Sequence, residues 1–149
     1  MLTFNVVLLG PSGASKSTFL SALNETISKQ HFSGNFFVRP DSVTHDRLTG
    51  MYRKTSDTGQ GWPAGNHYDD LVELSFTGCL GGASESFALY EIRYLDHDGR
   101  CLVDEHIDPR IRRRLTEKIK EADALLCVLD GEYIVALLKN TGRPPLLRI

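Results

Sequence analysis

Residues 10–17 read GPSGASKS, a stretch whose residue types and spacing suit phosphate binding. The pattern GxxxxGK[ST] makes a loop whose successive backbone N–H groups curl into an anion nest, with the positive end of a helix dipole behind it. On this reading the backbone of Gly10, Pro11, Ser12, Gly13, Ala14 and Ser15 lines the nest, and Ser17 and Thr18 open the helix. The Lys16 ammonium reaches the β- and γ-phosphates and shares in catalysis, and the Ser17 hydroxyl coordinates Mg²⁺. One position departs from the pattern. Ser15 stands where the second fixed glycine belongs, and there a side chain hinders close approach of backbone to phosphate.

A second acidic segment, Asp96-His97-Asp98-Gly99, follows a strand-like stretch and is followed by Arg100. A carboxylate at the end of a strand beside the phosphate loop is placed to act on Mg²⁺, which makes Asp96 the candidate metal group. The same tetrapeptide also makes a good β-turn, so two readings stand.

In motif order and spacing the chain resembles the translation-factor-related (TRAFAC) class of P-loop GTPases. The resemblance implies that Asp96 acts on Mg²⁺ through water and that the Gly99 N–H meets the γ-phosphate. It also implies a loop threonine that completes the Mg²⁺ shell. Thr55 and Thr58 are the candidates, with Thr58 taken as the metal residue, beside a GQGWPAGN stretch similar to the Trp-Pro segment of bacterial double-GTPase domains. Relatives of that kind carry Thr near the position of Asn66. Where Ras-like members place a Gln to orient water, this chain has Arg100, whose guanidinium lacks an acceptor. Arg100 is therefore expected to stabilise transition-state charge as an arginine finger does, leaving His97 or Asp98 to orient water.

The class reads guanine with an Asn/Thr-Lys-x-Asp tetrapeptide, which is absent here; Lys139-Asn140-Thr141-Gly142 is not it. Residues 143–149 (RPPLLRI) resemble the start of the strand before that motif, so the domain is expected to be incomplete at its C-terminal side. The function implied is Mg²⁺-dependent binding of a purine nucleoside triphosphate, GTP first and ATP possible. Hydrolysis to GDP and phosphate would switch loop 41–66 and the 96–99 segment, read by a protein effector or regulator. Two alternatives remain: an ATP-using ATPase or kinase, and a degenerate GTPase-like interaction module without catalysis.

These residues need elements to hold them. Residues 2–9 are rich in Val and Leu, as in a strand buried on both faces. Helical spacing of Phe19, Leu20, Leu23 and Ile27 predicts a helix over 17–29. Residues 31–38 suggest a short strand and 42–53 a helix capped by Ser42 or Thr44. Residues 55–66 read as a loop, 71–76 and 87–95 as strands joined by a hairpin connection at 79–84. Asp108 caps a helix over 109–122 with Pro109 at its start, and Ile111, Leu115, Ile119 and Ala122 form its apolar face. Residues 124–129 read as another strand and 132–139 as a last helix. Alternating strands and helices predict an α/β fold with a mostly parallel sheet and one antiparallel edge strand. With the phosphate loop, that is a P-loop NTPase-like three-layer sandwich lacking its C-terminal strands.

Composition bounds the rest. The 149 residues fit one domain, taken as 1–149. A formal net charge of -2 gives no basic surplus for nucleic acid. The RIRRR run at 110–114 reads as a solvated face balanced by Glu117 and Glu121. Cys79, Cys101 and Cys127 form neither a disulfide framework nor a zinc site, which fits a reducing, cytoplasmic setting. His31, His45, His67, His97 and His106 lack metal-ligand spacing. No run approaches the ~20 apolar residues of a membrane span, and membrane insertion is not expected. Trp62 has two equal readings, covering a nucleotide or pinning its loop to the core.

Overall fold

Neighbouring residues on a strand point to opposite faces, so Val7 and Leu8 can be buried together only in a sheet covered on both sides. Both are buried. Val7 packs with Leu95, Cys101, Ile107 and Leu115 on one face. Leu8 packs with Leu20, Leu48, Leu74 and Phe76 on the other. The computed structural model describes residues 1–29, 35–57, 71–81, 85–129, 131, 134–135 and 139. In chain order the elements are β1 (Leu2–Leu9), α1 (Lys16–Lys29), β2 (Phe36–Pro40), α2 (Ser42–Ser56), β3 (Leu71–Gly81), β4 (Ser86–His97), α3 (Arg100–Val103), α4 (Pro109–Lys120) and β5 (Ala124–Cys127). Leu20 and Leu48 bring α1 and α2 to one face, while Cys101 and Leu115 bring α3 and α4 to the other.

The five strands run in the order β2-β3-β4-β1-β5. β1 is parallel to both β4 and β5. β2–β3 and β3–β4 are antiparallel, and the longest ladder of the sheet extends from Leu71↔His97 to Gly81↔Ser86. This corrects the expected mostly parallel, P-loop NTPase-like sheet with one antiparallel edge: the sheet is mixed, and most of its pairing is antiparallel. Two physical facts explain the difference. A helix between two strands implies a parallel crossover only if the strands share a direction, and β2 and β3 flank α2 while running oppositely. The hairpin strands are also longer than the alternation of Val72, Leu74 and Phe76 suggested, because residues 77–81 continue β3 across a bulge at Gly78/Cys79.

Local differences have similar causes. The cap of α2 is Asp41, whose Oδ1 accepts the Thr44 N–H at 2.7 Å. Thr44 cannot serve, since its buried Oγ1 accepts the Ser75 N–H at 2.8 Å. Thr55 and Ser56 belong to α2, not to a loop. Asp108 caps α4 as expected, accepting the Arg110 N–H at 2.8 Å. Ile111, Ile119 and Ala122 pack around Leu115. Most of 132–139, all of 143–149, and Trp62 and Asn66 lie outside the described residues. Among the described residues no helix is long and apolar enough to cross a membrane.

Candidate functional site

The chain leaves β1 at Leu9 and enters α1 at Lys16, so the loop between them sits at the C-terminal end of a central strand. Gly10 passes so close to the Val128 carbonyl that a Cβ there would overlap it. The Ala14 N–H closes the loop on the Pro11 carbonyl at 3.2 Å, and the Phe19 N–H reaches the Ser15 carbonyl at 2.8 Å. Pro11, Ser12, Gly13 and Ser15 are exposed, Ala14 is buried, and Ser17 and Thr18 are half-buried. Gly13 and Ser15 both have positive φ, at 83° and 62°. Ser15 therefore adopts the left-handed conformation that glycine adopts without strain, at a cost of about 1–2 kcal/mol for an L-residue.

Lys16 is buried and turns back over the loop, its Nζ donating to the carbonyls of Gly10 at 3.0 Å and Pro11 at 3.1 Å. Burial holds its pKa below the ordinary lysine value, against the opposing pull of Asp96, Asp98 and Cys101. An ammonium has three donors, so a third N–H remains for a ligand at the loop.

The Ser17 hydroxyl donates to Asp96 Oδ2. The parallel pairing of β1 with β4 brings these groups together, since both strands end on the same side. A hydroxyl whose proton goes to a carboxylate keeps its lone pairs for a cation. The Ser17–Asp96 oxygen pair thus fits Mg²⁺, which is commonly held by few protein oxygens and completes its shell with water and phosphate. Among the described residues no group of three or more His, Cys, Asp or Glu converges to cage a metal. Thr58 lies outside the described residues. Thr55 is on α2, its hydroxyl donating to the carbonyls of Met51 and Tyr52.

After β4 the chain turns directly onto the loop. A Cβ on Gly99 would overlap the main chain of Gly10, Pro11 and Ser12, so only glycine lets the two backbones lie this close. Asp98 is buried, and its Oδ1 accepts the Arg100 N–H at 2.9 Å. Its Oδ2 accepts Arg100 Nε at 3.0 Å and Nη2 at 2.6 Å. Its carboxyl lies below the ordinary aspartate value: burial opposes this, but the hydrogen bonds and charge of Arg100 outweigh it. Arg100 is thus folded onto Asp98, though its side chain is 50% exposed.

His97 is buried, and its Nδ1 lies 2.8 Å from the Asp98 carbonyl. Desolvation lowers its pKa, assisted by Lys16 and opposed by the Asp98 carbonyl, Asp96 and the Leu8 carbonyl. As the strand neighbour of Asp96 it points to the opposite face, so the two cannot both address Ser17.

The structure therefore gathers residues 10–17, Asp96, Asp98 and Gly99, and sets Thr55 apart. The Asp98–Arg100 clasp was missed in the sequence; its signal is an acid and a base two residues apart in a turn. Asn24 was missed as well: it is fully buried on α1, and among the described residues neither its amide oxygen nor its amide nitrogen has a hydrogen-bond partner. No family model, curated protein or solved structure matches this chain.

Proposed function

We propose that the chain binds the phosphates of a purine nucleoside triphosphate, GTP first, together with Mg²⁺ at the loop 10–17. The observation that carries the reading is the convergence of Lys16, the Ser17–Asp96 oxygen pair and the 98–99 turn on one loop. Local geometry supports the phosphate; the choice of a purine and of GTP rests on the resemblance to the TRAFAC class alone. Ser17 and Asp96 would hold Mg²⁺, which would offset phosphate charge. Hydrolysis would release the contacts of the 96–99 segment, and a protein effector would read that change.

Titration calorimetry with GTP and with ATP, each in Mg²⁺ and in EDTA, tests this. Saturable, Mg²⁺-strengthened binding is expected. Lys16→Ala should weaken it about 10- to 100-fold, as expected for a lost charge-assisted hydrogen bond. Unchanged affinity in that variant sinks the assignment.

One observation favours a second reading, binding without rapid hydrolysis. The Arg100 guanidinium is engaged by Asp98, and His97 is buried against the Asp98 carbonyl. Single-turnover phosphate release on the Mg²⁺–GTP complex decides between the two.

A further inference from the structure

We propose that the outer face of α4 is a docking surface for an acidic peptide segment of a partner protein. The inference is independent of the phosphate loop and stands whether or not that loop takes a nucleotide.

α4 carries Arg110, Arg112, Arg113, Arg114, Lys118 and Lys120 against one acid, Glu117. Its apolar stripe, Ile111, Leu115 and Ile119, is packed in the core. A cavity of about 400 Å³ runs along another side of the helix. Among the described residues it is lined by Pro109, Arg112, Arg113, Thr116, Glu117 and Lys120. These positions recur at three- and four-residue spacing, so they form one stripe, turned away from the buried one.

The cations of this stripe are only partly neutralised from within. Of the two acids expected to balance the 110–114 run, Glu117 pairs with Arg113 at 2.9 Å. Among the described residues Glu121 pairs with none of the run. Lys118 is engaged by Glu73 on β3. Asp104 and Asp108 each give a carboxylate oxygen to a main-chain N–H, of His106 and Arg110. Arg110, Arg114 and Lys120 are exposed and form no ion pair among the described residues. Arg112 Nη2 donates to the Asp104 carbonyl, while its Nε is buried with no hydrogen-bond partner among the described residues. A guanidinium has five donors in a planar fork, so Arg112 and Arg113 keep donors suited to carboxylates.

Three features select a peptide from among anionic partners. The chain as a whole carries a formal charge of -2, so no long-range field draws it to nucleic acid or to an anionic bilayer. The basic surface is also short. A 12-residue helix is about 18 Å long, a length that about six residues of extended peptide cover at ~3.3 Å each. Finally, Glu117 stands between Arg113 and Lys120 in the groove. Evenly spaced phosphates would meet that carboxylate, whereas a peptide can set a neutral residue against it. The complementary segment therefore has acids opposite Arg112 and Arg113, a neutral residue opposite Glu117, and an acid opposite Lys120.

The probe for this is a fluorescein-labelled peptide with the core Glu-Glu-Gly-Ser-Glu-Glu, titrated with the full chain at low salt and read by fluorescence anisotropy. Saturable binding is expected. Arg113→Glu/Lys120→Glu should weaken it about tenfold or more. Arg39→Glu/Arg53→Glu, which changes the net charge equally on β2 and α2, should stay within about twofold of wild type. Lys120→Glu alone should show the first loss in smaller measure, and it carries the test if circular dichroism finds the double variant unfolded. Glu117→Gln should shift preference toward a peptide of six consecutive Glu by about threefold. No binding by the folded wild type, or an equal loss in both double variants, overturns the proposal. So does tighter binding of a thymidine oligonucleotide or of phosphatidylserine vesicles than of the peptide. An unchanged preference in Glu117→Gln overturns the placement of the peptide in this groove.

Discussion

The parallel half of the sheet and its antiparallel half bury comparable side chains but differ in chemistry. β4 and β1 end side by side, so the segments leaving them meet: Ser17 reaches Asp96, and Gly99 rests on residues 10–12. β3 runs the other way and presents its first residue, Leu71, at that end, opposite His97. Functional groups gather where parallel strands release their C-terminal ends, because only there do successive loops share one crevice. The antiparallel half supplies Leu74 and Phe76 to the core.

The strongest way to break this comparison is a core deletion on the antiparallel side. Phe76 is buried, meets the Tyr94 ring edge-on with centroids 5.7 Å apart, and packs with Leu8, which is one residue before the end of β1. Phe76→Ala should lower unfolding stability in urea by about 3–5 kcal/mol. Phosphate affinity per folded molecule should stay within about twofold, since Phe76 packs in the core with Leu8, Leu20, Leu48 and Leu74. A selective loss of affinity would mean that the antiparallel half shapes the site after all.

How far the sequence carried follows the same division. The strand, glycine turn and helix at 2–29 were legible because each is a local signal: an apolar run, then Gly-rich punctuation, then helical spacing. The expected burial on both faces holds only at Val7 and Leu8, while residues 2–5 are exposed. Asp108 was legible because Pro109 follows it. The partner and direction of β2 were not, since pairing is decided by contacts far apart in the chain. Asp41 was missed because Asp41, Ser42 and Thr44 are all good caps, and only the tertiary bond from the Ser75 N–H to Thr44 removes one of them. At the site, motif spacing anticipated Ser17 beside Asp96. It did not anticipate that Arg100 would fold onto its own turn, because an arginine side chain can reach several partners and the local carboxylate outcompetes the distant one.

A second prediction concerns α1, which flanks the loop. Asn24 buries an amide neither end of which has a partner among the described residues, a burden of about 1–3 kcal/mol for each such group. Asn24→Leu keeps the number and branching of the side-chain heavy atoms while removing both polar groups, and should raise the urea midpoint by an amount equivalent to about 1–3 kcal/mol. A lower midpoint would show that the amide has partners in solution. Third, Ser15→Gly should relieve the positive φ and stabilise the fold by about 1 kcal/mol. Its affinity for phosphate should hold or rise, in contrast to Lys16→Ala.

The smallest effect is expected where the two halves are tied across the surface. Lys118 on α4, which covers Val7 and Leu95, donates to Glu73 Oε1 on β3 at 2.9 Å. The side chains are 48% and 51% exposed, so water screens the pair and each side chain loses rotamer freedom to make it. Lys118→Ala should therefore cost only about 0.2–1 kcal/mol in urea unfolding at low salt. Most of that difference should vanish near 1 M salt, where the screening length shrinks to about 3 Å. A loss of the same size in both conditions would mean that the aliphatic stem of Lys118, packed between α4 and β3, holds the halves together. The comparison would then rest on burial at that seam and not on charge.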